Sequence, residues 1–310
     1  MKIAFFGTPR IAVPCLESLI KSSHEVVLVV TQPDRPAGRK KTITPPPVKE
    51  LALKHSIPVL QPEKAKDESF LAEYKKYAPD LNIIMAYGQI LPDTLIYHPK
   101  HDSINLHASL LPKYRGASPI SAAIINGDTE TGISFQFIEA RLDAGDIMHV
   151  EKINIDPCDT AASLTDKISR LAGETAVKVT GMVESGSFKR VKQDELKSTY
   201  VKTLKKEDGR LNFSDSSENT RNKIRGMLPW PVAFSELDGK KIKIFGAEIT
   251  NTDSAAAPGD IISIIKDKGF TVKTADSALL ITSVQLEGGK QMTGYEFSLG
   301  HKDLKGKKLK

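Results

Sequence analysis

Residues 104 to 116 read INLHASLLPKYRG. Ile104 and Leu106 alternate with Asn105 and His107, the period of a strand, so the apolar pair faces one side and the polar pair the other. Ser118-Pro119 follows, an N-cap residue with a proline suited to the first helical position, and Gly127 supplies a helix stop. The stretch is therefore a strand that passes through a proline-bounded turn to a helix. It carries a carboxamide and an imidazole at its carboxyl end.

The same grammar runs upstream. KIAFFG and EVVLVVTQ are short β-rich runs separated by an amphipathic stretch, Ile11 to Lys21, in which Val13, Leu16, Leu19 and Ile20 recur at helical spacing. After IPVL and a polar helical stretch near Lys64 to Tyr77 comes DLNIIMAYG, then SINLHAS. Strands alternating with helices predict an α/β fold, a Rossmann-like doubly wound and mostly parallel sheet, whose ligands gather at the carboxyl ends of the strands. GISFQFIEA and DIMHVEKINI are two further strands on either side of RLDAG, and Asp159 to Glu184 reads as mostly helical.

Beyond Gly186 the pattern changes. Residues 189–207 are polar and lysine-rich with little periodicity and read as a linker between a domain over 1–188 and a second over 208–310. In the second, a short helix from Asn219 to Leu228 precedes five short β runs, AFSEL, KIKIFGAEI, DIISII, FTVKT and ALLITSVQ, with Asp238-Gly239 as a hairpin turn. Five such strands fit a small OB-like β-barrel. Trp230, between two prolines, reads first as a packed anchor, with stacking on a nucleic-acid base as the alternative.

Charge divides along the same line. Residues 189–310 hold 23 Lys+Arg against 16 Asp+Glu, a balance of +7, whereas residues 1–188 hold 21 against 22, or −1. A near-neutral front half with a basic back half suits chemistry in one and a polyanion at the other. The proline-rich stretch QPDRPAGRKKTITPPPVK, Gln32 to Lys49, reads as a loop. It carries Arg35, Arg39, Lys40 and Lys41 on a chain stiffened by Pro33 and Pro36, a set suited to gripping phosphates.

Several classes drop out. No apolar run approaches the roughly 18 residues of a membrane span, and the apolar run in MKIAFFGTPR is too short for a signal peptide. GTPRIA has one glycine where a dinucleotide fingerprint needs three, which disfavours a nicotinamide cofactor. Cys15 and Cys158 form no CxxC and share no pattern with histidines, so neither a zinc site nor a disulfide framework is expected, and a cytoplasmic setting is.

Asn105 and His107 together can stabilise an oxyanion and relay a proton in acyl transfer, although the same pair also suits a hydrogen-bonded structural strand end. Asp143 in RLDAGD is a loop carboxylate that can orient the imidazole. Asp146 is its neighbouring candidate, and spacing does not separate the two.

The combination FFGTP, TQPDRPAGR, AYGQILP, INLHASLLPKYRGASPI, LDAGDI, KEDGRLNF and PWP resembles the methionyl-tRNA formyltransferases, within the 10-formyltetrahydrofolate-dependent formyltransferase family, over nearly the whole chain. The resemblance implies transfer of a formyl group from 10-formyltetrahydrofolate to the amino group of methionyl initiator tRNA, without a metal, a membrane or an obligate protein partner. It implies Asn105, His107 and Asp143 as the catalytic trio. It implies folate contacts from Ser109, Leu110, Leu111 and Pro112 and from Tyr87, Gly88, Gln89, Ile90 and Leu91, and tRNA contacts from the basic loop, Arg39 above all. Two positions differ from the usual family pattern: Arg141 stands where a glycine commonly precedes the Leu-Asp pair, and Leu228 where an asparagine commonly precedes PWP.

Overall fold

The computed structural model describes residues 1–38 and 42–310. Arg39, Lys40 and Lys41 lie outside the described residues. The chain packs as two compact units: Met1–Gly116 with Thr131–Asn154 and Thr165–Tyr200, and Ala117–Glu130 with Ile155–Leu164 and Val201–Lys310.

The first unit is built on β1 (Lys2–Gly7), β2 (Glu25–Val30), β3 (Arg35–Ala37), β4 (Thr42–Thr44), β5 (Val59–Leu60), β6 (Leu81–Met85), β7 (Ser103–His107), β8 (Arg115–Gly116), β9 (Glu130–Phe137) and β10 (Ile147–Asn154), and ends within the short β11 (Tyr200–Val201). Seven of these form one sheet in the order β10-β9-β7-β6-β1-β2-β5. The pairs β2–β5, β1–β2, β1–β6 and β6–β7 are parallel, and β9 runs antiparallel to β7. This is the mostly parallel, Rossmann-like sheet expected from the strand and helix alternation.

Counted along the chain, the parallel strands lie in the order 3-2-1-4-5, so the winding reverses between β1 and β6. That reversal opens a crevice beyond the carboxyl ends of β1, β6 and β7, where such sheets bind ligands. β6 is buried at every position, as a central parallel strand must be. Its one polar residue, Asn82, accepts from Tyr74 Oη at 2.7 Å and donates to Leu95 O and Ser103 Oγ, both at 3.0 Å. Beside it Phe6, Tyr74, Tyr87, Leu91 and Leu95 share one apolar cluster.

Three local readings are refined. The Gln32 to Lys49 stretch is not all loop: β3 and β4 pair as an antiparallel hairpin, and a helix starts at Pro47. Lys49 Nζ anchors the hairpin's base, reaching Asp34 Oδ2 at 2.8 Å and Gln61 Oε1 at 2.7 Å. Ser118 is the N-cap of the helix Pro119–Ile125, as expected, but its hydroxyl makes no capping bond. Cys158 is exposed, and Cys15 is fully buried, which pushes its thiol pKa up.

The second unit is antiparallel: β12 (Ala233–Leu237), β13 (Lys240–Thr250), β14 (Ile261–Ile265), β15 (Gly269–Lys273), β16 (Ala278–Leu286) and β17 (Met292–Thr293) lie in the order β12-β13-β16-β15-β14, with β17 on β16. Asp238 and Gly239, at φ +50 and +77, make the two-residue turn between β12 and β13. Ile242, Ile244, Phe270, Leu279, Ile281 and Phe297 fill the core. β17 and the helix Gly294–Gly300 escaped the sequence reading, being too short to show a period. Trp230, expected to be packed, is 52% exposed.

Candidate active site

The pairing of β7 with β9 sets Asn105 opposite Gln136 and His107 opposite Ser134. Directly opposed residues share a face, so four polar side chains gather on one side of the sheet at the carboxyl end of β7. Ser134 Oγ donates to Ser109 O at 2.7 Å and accepts from Leu111 N at 3.0 Å. Ser109 Oγ, itself fully buried, donates to Lys113 O at 2.6 Å. The turn after His107 is thus tied to the neighbouring strand.

Asp143 reaches the same face from the loop between β9 and β10. Its Oδ1 accepts from Gln136 Nε2 at 3.0 Å and from Asn105 Nδ2 at a long 3.4 Å. Its Oδ2 accepts from Gly116 N at 2.9 Å and lies 3.5 Å from His107 Nδ1. Asn105, His107 and Asp143, chosen from the sequence, do converge. Of the two carboxylates that spacing left open, Asp143 faces the imidazole.

The ring's other nitrogen, His107 Nε2, meets Tyr114 O at 2.8 Å. A carbonyl only accepts, so Nε2 carries a proton, and in the neutral ring Nδ1 is then an acceptor turned toward a carboxylate oxygen. The two atoms are close enough for a proton to pass between them, and with His107 6% exposed and the Asp143 side chain 11% the pair is largely shielded from solvent. Asn105 is less engaged: its single side-chain hydrogen bond among the described residues is the long one to Asp143. Its amide is available to a bound molecule.

The loop needs unusual backbone. Asp143 sits at φ +50, which its Gly116 contact helps hold. A Cβ on Gly145 would lie 1.8 Å from Phe137 O. Gly145→Ala is therefore expected to cost about 1–3 kcal/mol in urea unfolding, the usual penalty of overpacking. An unchanged midpoint would show that the end of β9 yields to the methyl group.

A second tier of residues was not found in the sequence. Arg115 is fully buried and spends all five N–H groups: Nε and Nη2 on Gln193 Oε1 at 3.0 and 2.9 Å, Nη1 and Nη2 on Glu195 Oε2 and Oε1 at 3.1 and 3.0 Å, and Nη1 on Tyr200 Oη at 2.9 Å. Arg115 holds the Glu195 carboxyl below its usual pKa, with a smaller contribution from Arg141. Exposed Arg141 reaches Glu195 Oε1 at 3.3 Å, a role open to an arginine and not to a glycine. Thr199 closes the strap, accepting from Arg115 N at 2.8 Å through its carbonyl and from Tyr114 N at 2.8 Å through its hydroxyl. The segment read as a linker thus belongs, as far as Tyr200, to the first unit.

The expected folate-contacting residues divide in two. Tyr87 and Leu91 turn their side chains into the core. Tyr87 O already accepts from Thr8 Oγ1 at 2.9 Å and Gln32 Nε2 at 3.2 Å. Gln89 brackets the opposite segment, accepting from Ala65 N at 2.7 Å and donating to Pro62 O at 3.1 Å. Ile90 is 90% exposed and, with Gln89, Leu91 and Lys64 to Lys66, lines an open cleft of ≈ 290 Å³. Gly88 is exposed at φ +91, Leu110 and Pro112 are half-buried, and Leu111 is buried. Of the basic residues assigned to phosphate, Arg35 is exposed and within 3.3 Å of Glu63 Oε2.

Comparison with known proteins bears on this geometry. A family model described as formyl transferase matches residues 1–180, and one described as formyl transferase, C-terminal domain, matches residues 203–302. The chain is 42% identical over 300 residues to the methionyl-tRNA formyltransferase of Geobacter metallireducens, covering 97% of this chain and 96% of the relative. It is 43% identical over 300 residues to that of Bacillus subtilis, covering 96% and 94%. Among solved structures, an N-formyltransferase from Helicobacter canadensis, in complex with folinic acid and dTDP-3-aminofucose, superposes with a TM-score of 0.66 at 19% identity, covering 94% of this chain and all of that one.

Proposed function

The chain belongs to the formyl transferase family, and we propose that Asn105, His107 and Asp143 form the centre at which it moves a formyl group from 10-formyltetrahydrofolate to the amine of methionyl initiator tRNA. The observation that carries this reading is the meeting of the Asn105 and His107 side chains on the Asp143 carboxylate, at the carboxyl end of β7. The methionyl nitrogen bonds to the formyl carbon, the bond from that carbon to the folate N10 breaks, and the proton lost by the amine ends on N10. Negative charge develops on the formyl oxygen, where the loosely held Asn105 amide donates; His107, whose Nε2 proton goes to Tyr114 O, serves the proton transfer through Nδ1. The pair His107 Nδ1 and Asp143 Oδ2 takes up the amine's proton and returns it to the leaving group.

In this reading the backbone of Tyr87, Gly88, Gln89 and Leu91, the exposed Ile90 side chain and the turn Ser109, Leu110, Leu111 and Pro112 contact the folate. Residues 1–188 carry the transfer. Residues 208–310, with an antiparallel sheet of the OB type, hold the tRNA, and 189–207 join the two in sequence. Arg35, Arg39, Lys40 and Lys41 grip its phosphates. Translation initiation in the cytoplasm is the setting that such a product serves.

The test is single-turnover formylation of charged initiator and elongator methionine tRNAs with 10-formyltetrahydrofolate. Formyl-methionyl product on the initiator tRNA is expected; none on either overturns the transferase reading, and equal rates overturn initiator selectivity. Replacing Arg39, Lys40 and Lys41 with alanine is expected to weaken tRNA binding. The slope of log K against log salt should become shallower by about 0.9 for each duplex phosphate that the variant no longer neutralises. Binding of folate alone should not change. An unaltered slope removes the loop from the tRNA interface.

A further inference from the structure

Asp143 is held by more than the groups that face the reacting atoms. Gln193 Nε2 lies 2.9 Å from Asp143 O, 2.8 Å from Gly145 O and 3.1 Å from Gln136 Oε1. Gln136 Nε2 in turn donates to Asp143 Oδ1 at 3.0 Å. At the far end stands Arg115, buried, donating twice to Gln193 Oε1.

A carboxamide can present either its oxygen or its NH2 at a given place, and nothing in its shape prefers one. A guanidinium removes that freedom, because it has donors and no acceptor. Facing Arg115, Gln193 must turn its oxygen inward, so its NH2 points at the Asp143 loop. Facing that NH2, Gln136 must turn its own oxygen toward Gln193, so its NH2 points at the Asp143 carboxylate. The order Arg115, Gln193, Gln136, Asp143 therefore has one polarity, and it ends on an N–H donated to the carboxylate.

We infer that Gln193 and Gln136 are positioning residues for the formyl-transfer reaction: a two-amide relay, polarised by Arg115, that keeps Asp143 oriented toward His107. The inference rests on the role assigned to Asp143 above. Neither glutamine touches the reacting atoms. Gln193 also ties that role to a segment that continues directly into the second unit.

The experiment uses the full-length protein and initial rates with 10-formyltetrahydrofolate and charged initiator tRNA. Gln193→Met keeps the volume and removes the hydrogen bonds. Gln193→Glu keeps the shape and one acceptor for Arg115, but sets a second oxygen against three acceptors, and Gln136 then turns over and presents its oxygen to Asp143. Gln193→Glu is expected to lower kcat about 100-fold and Gln193→Met about 10-fold, with KM for both substrates within about twofold of the parent.

A residue that merely fills space would show the opposite order, since Glu is the closer match in shape. Parental kcat in both variants, a milder effect of Glu than of Met, or a loss confined to KM each overturns the relay. Should the Glu variant fail to fold by circular dichroism, the kcat and KM of the Met variant decide alone. Asp143→Asn separates the two levels of the argument: if it keeps turnover, the reading of the whole site fails, whereas normal Gln193 variants beside an inactive Asp143→Asn overturn only the relay.

Discussion

Asn105→Ala is expected to leave the fold intact and lower kcat by about 10²–10³, a loss of about 2.7–4 kcal/mol of transition-state stabilisation, the usual consequence of removing one oxyanion donor. The fold should survive because Asn105 contributes little to it: its backbone stays in the β7 ladder, and its side chain gives up only the 3.4 Å hydrogen bond to Asp143. Turnover should not survive, because the same loose engagement leaves the amide available to the formyl oxygen. Steady-state kinetics with a thermal unfolding control make the check. A variant with near-parental turnover removes Asn105 from the mechanism, and one that has lost its fold would show the side chain to be structural.

Asp143→Asn should cost about 10²–10⁴ in kcat, the range for a positioned proton-transfer group. The substitution is isosteric, so it isolates chemistry from packing. The carboxylate accepts from Gly116 N and Gln136 Nε2 with two different oxygens. A carboxamide has one oxygen for these two donors, and its NH2 meets the other as donor against donor. It also cannot take up the proton that bridges to His107 Nδ1. Folate binding measured apart from turnover is expected to stay near that of the parent, since neither hydrogen bond involves the turn Ser109 to Pro112. Full activity in this variant would exclude Asp143 as proton carrier.

Much of the architecture is readable from the sequence because it rests on periodicity. β1, β2, β6 and β7 of the first sheet, and β12 to β16 of the second unit, fall on runs whose alternation or apolar content announces a strand. What escaped lacks a period: β17 has two residues, and the strap from Lys189 to Tyr200 holds its place by side-chain hydrogen bonds that no hydrophobic pattern encodes. Gln136 was half visible, since GISFQF alternates and puts a polar residue on the face of Ser134. Its value came only from a register that sets it opposite Asn105.

The direction of Asn105 and His107 follows from sequence alone: a two-residue period sends both to one side, and the turn after them marks the strand's ligand-binding end. The identity of their partners does not. Asp143 lies 38 residues beyond Asn105, and Gln193 lies 57 beyond Gln136. Meetings at such separations depend on which strands become neighbours in the sheet and on a loop held at a positive φ, and local sequence carries no record of either. Which carboxylate faces the imidazole, and which way two amides point on either side of a buried guanidinium, are properties of the assembled fold.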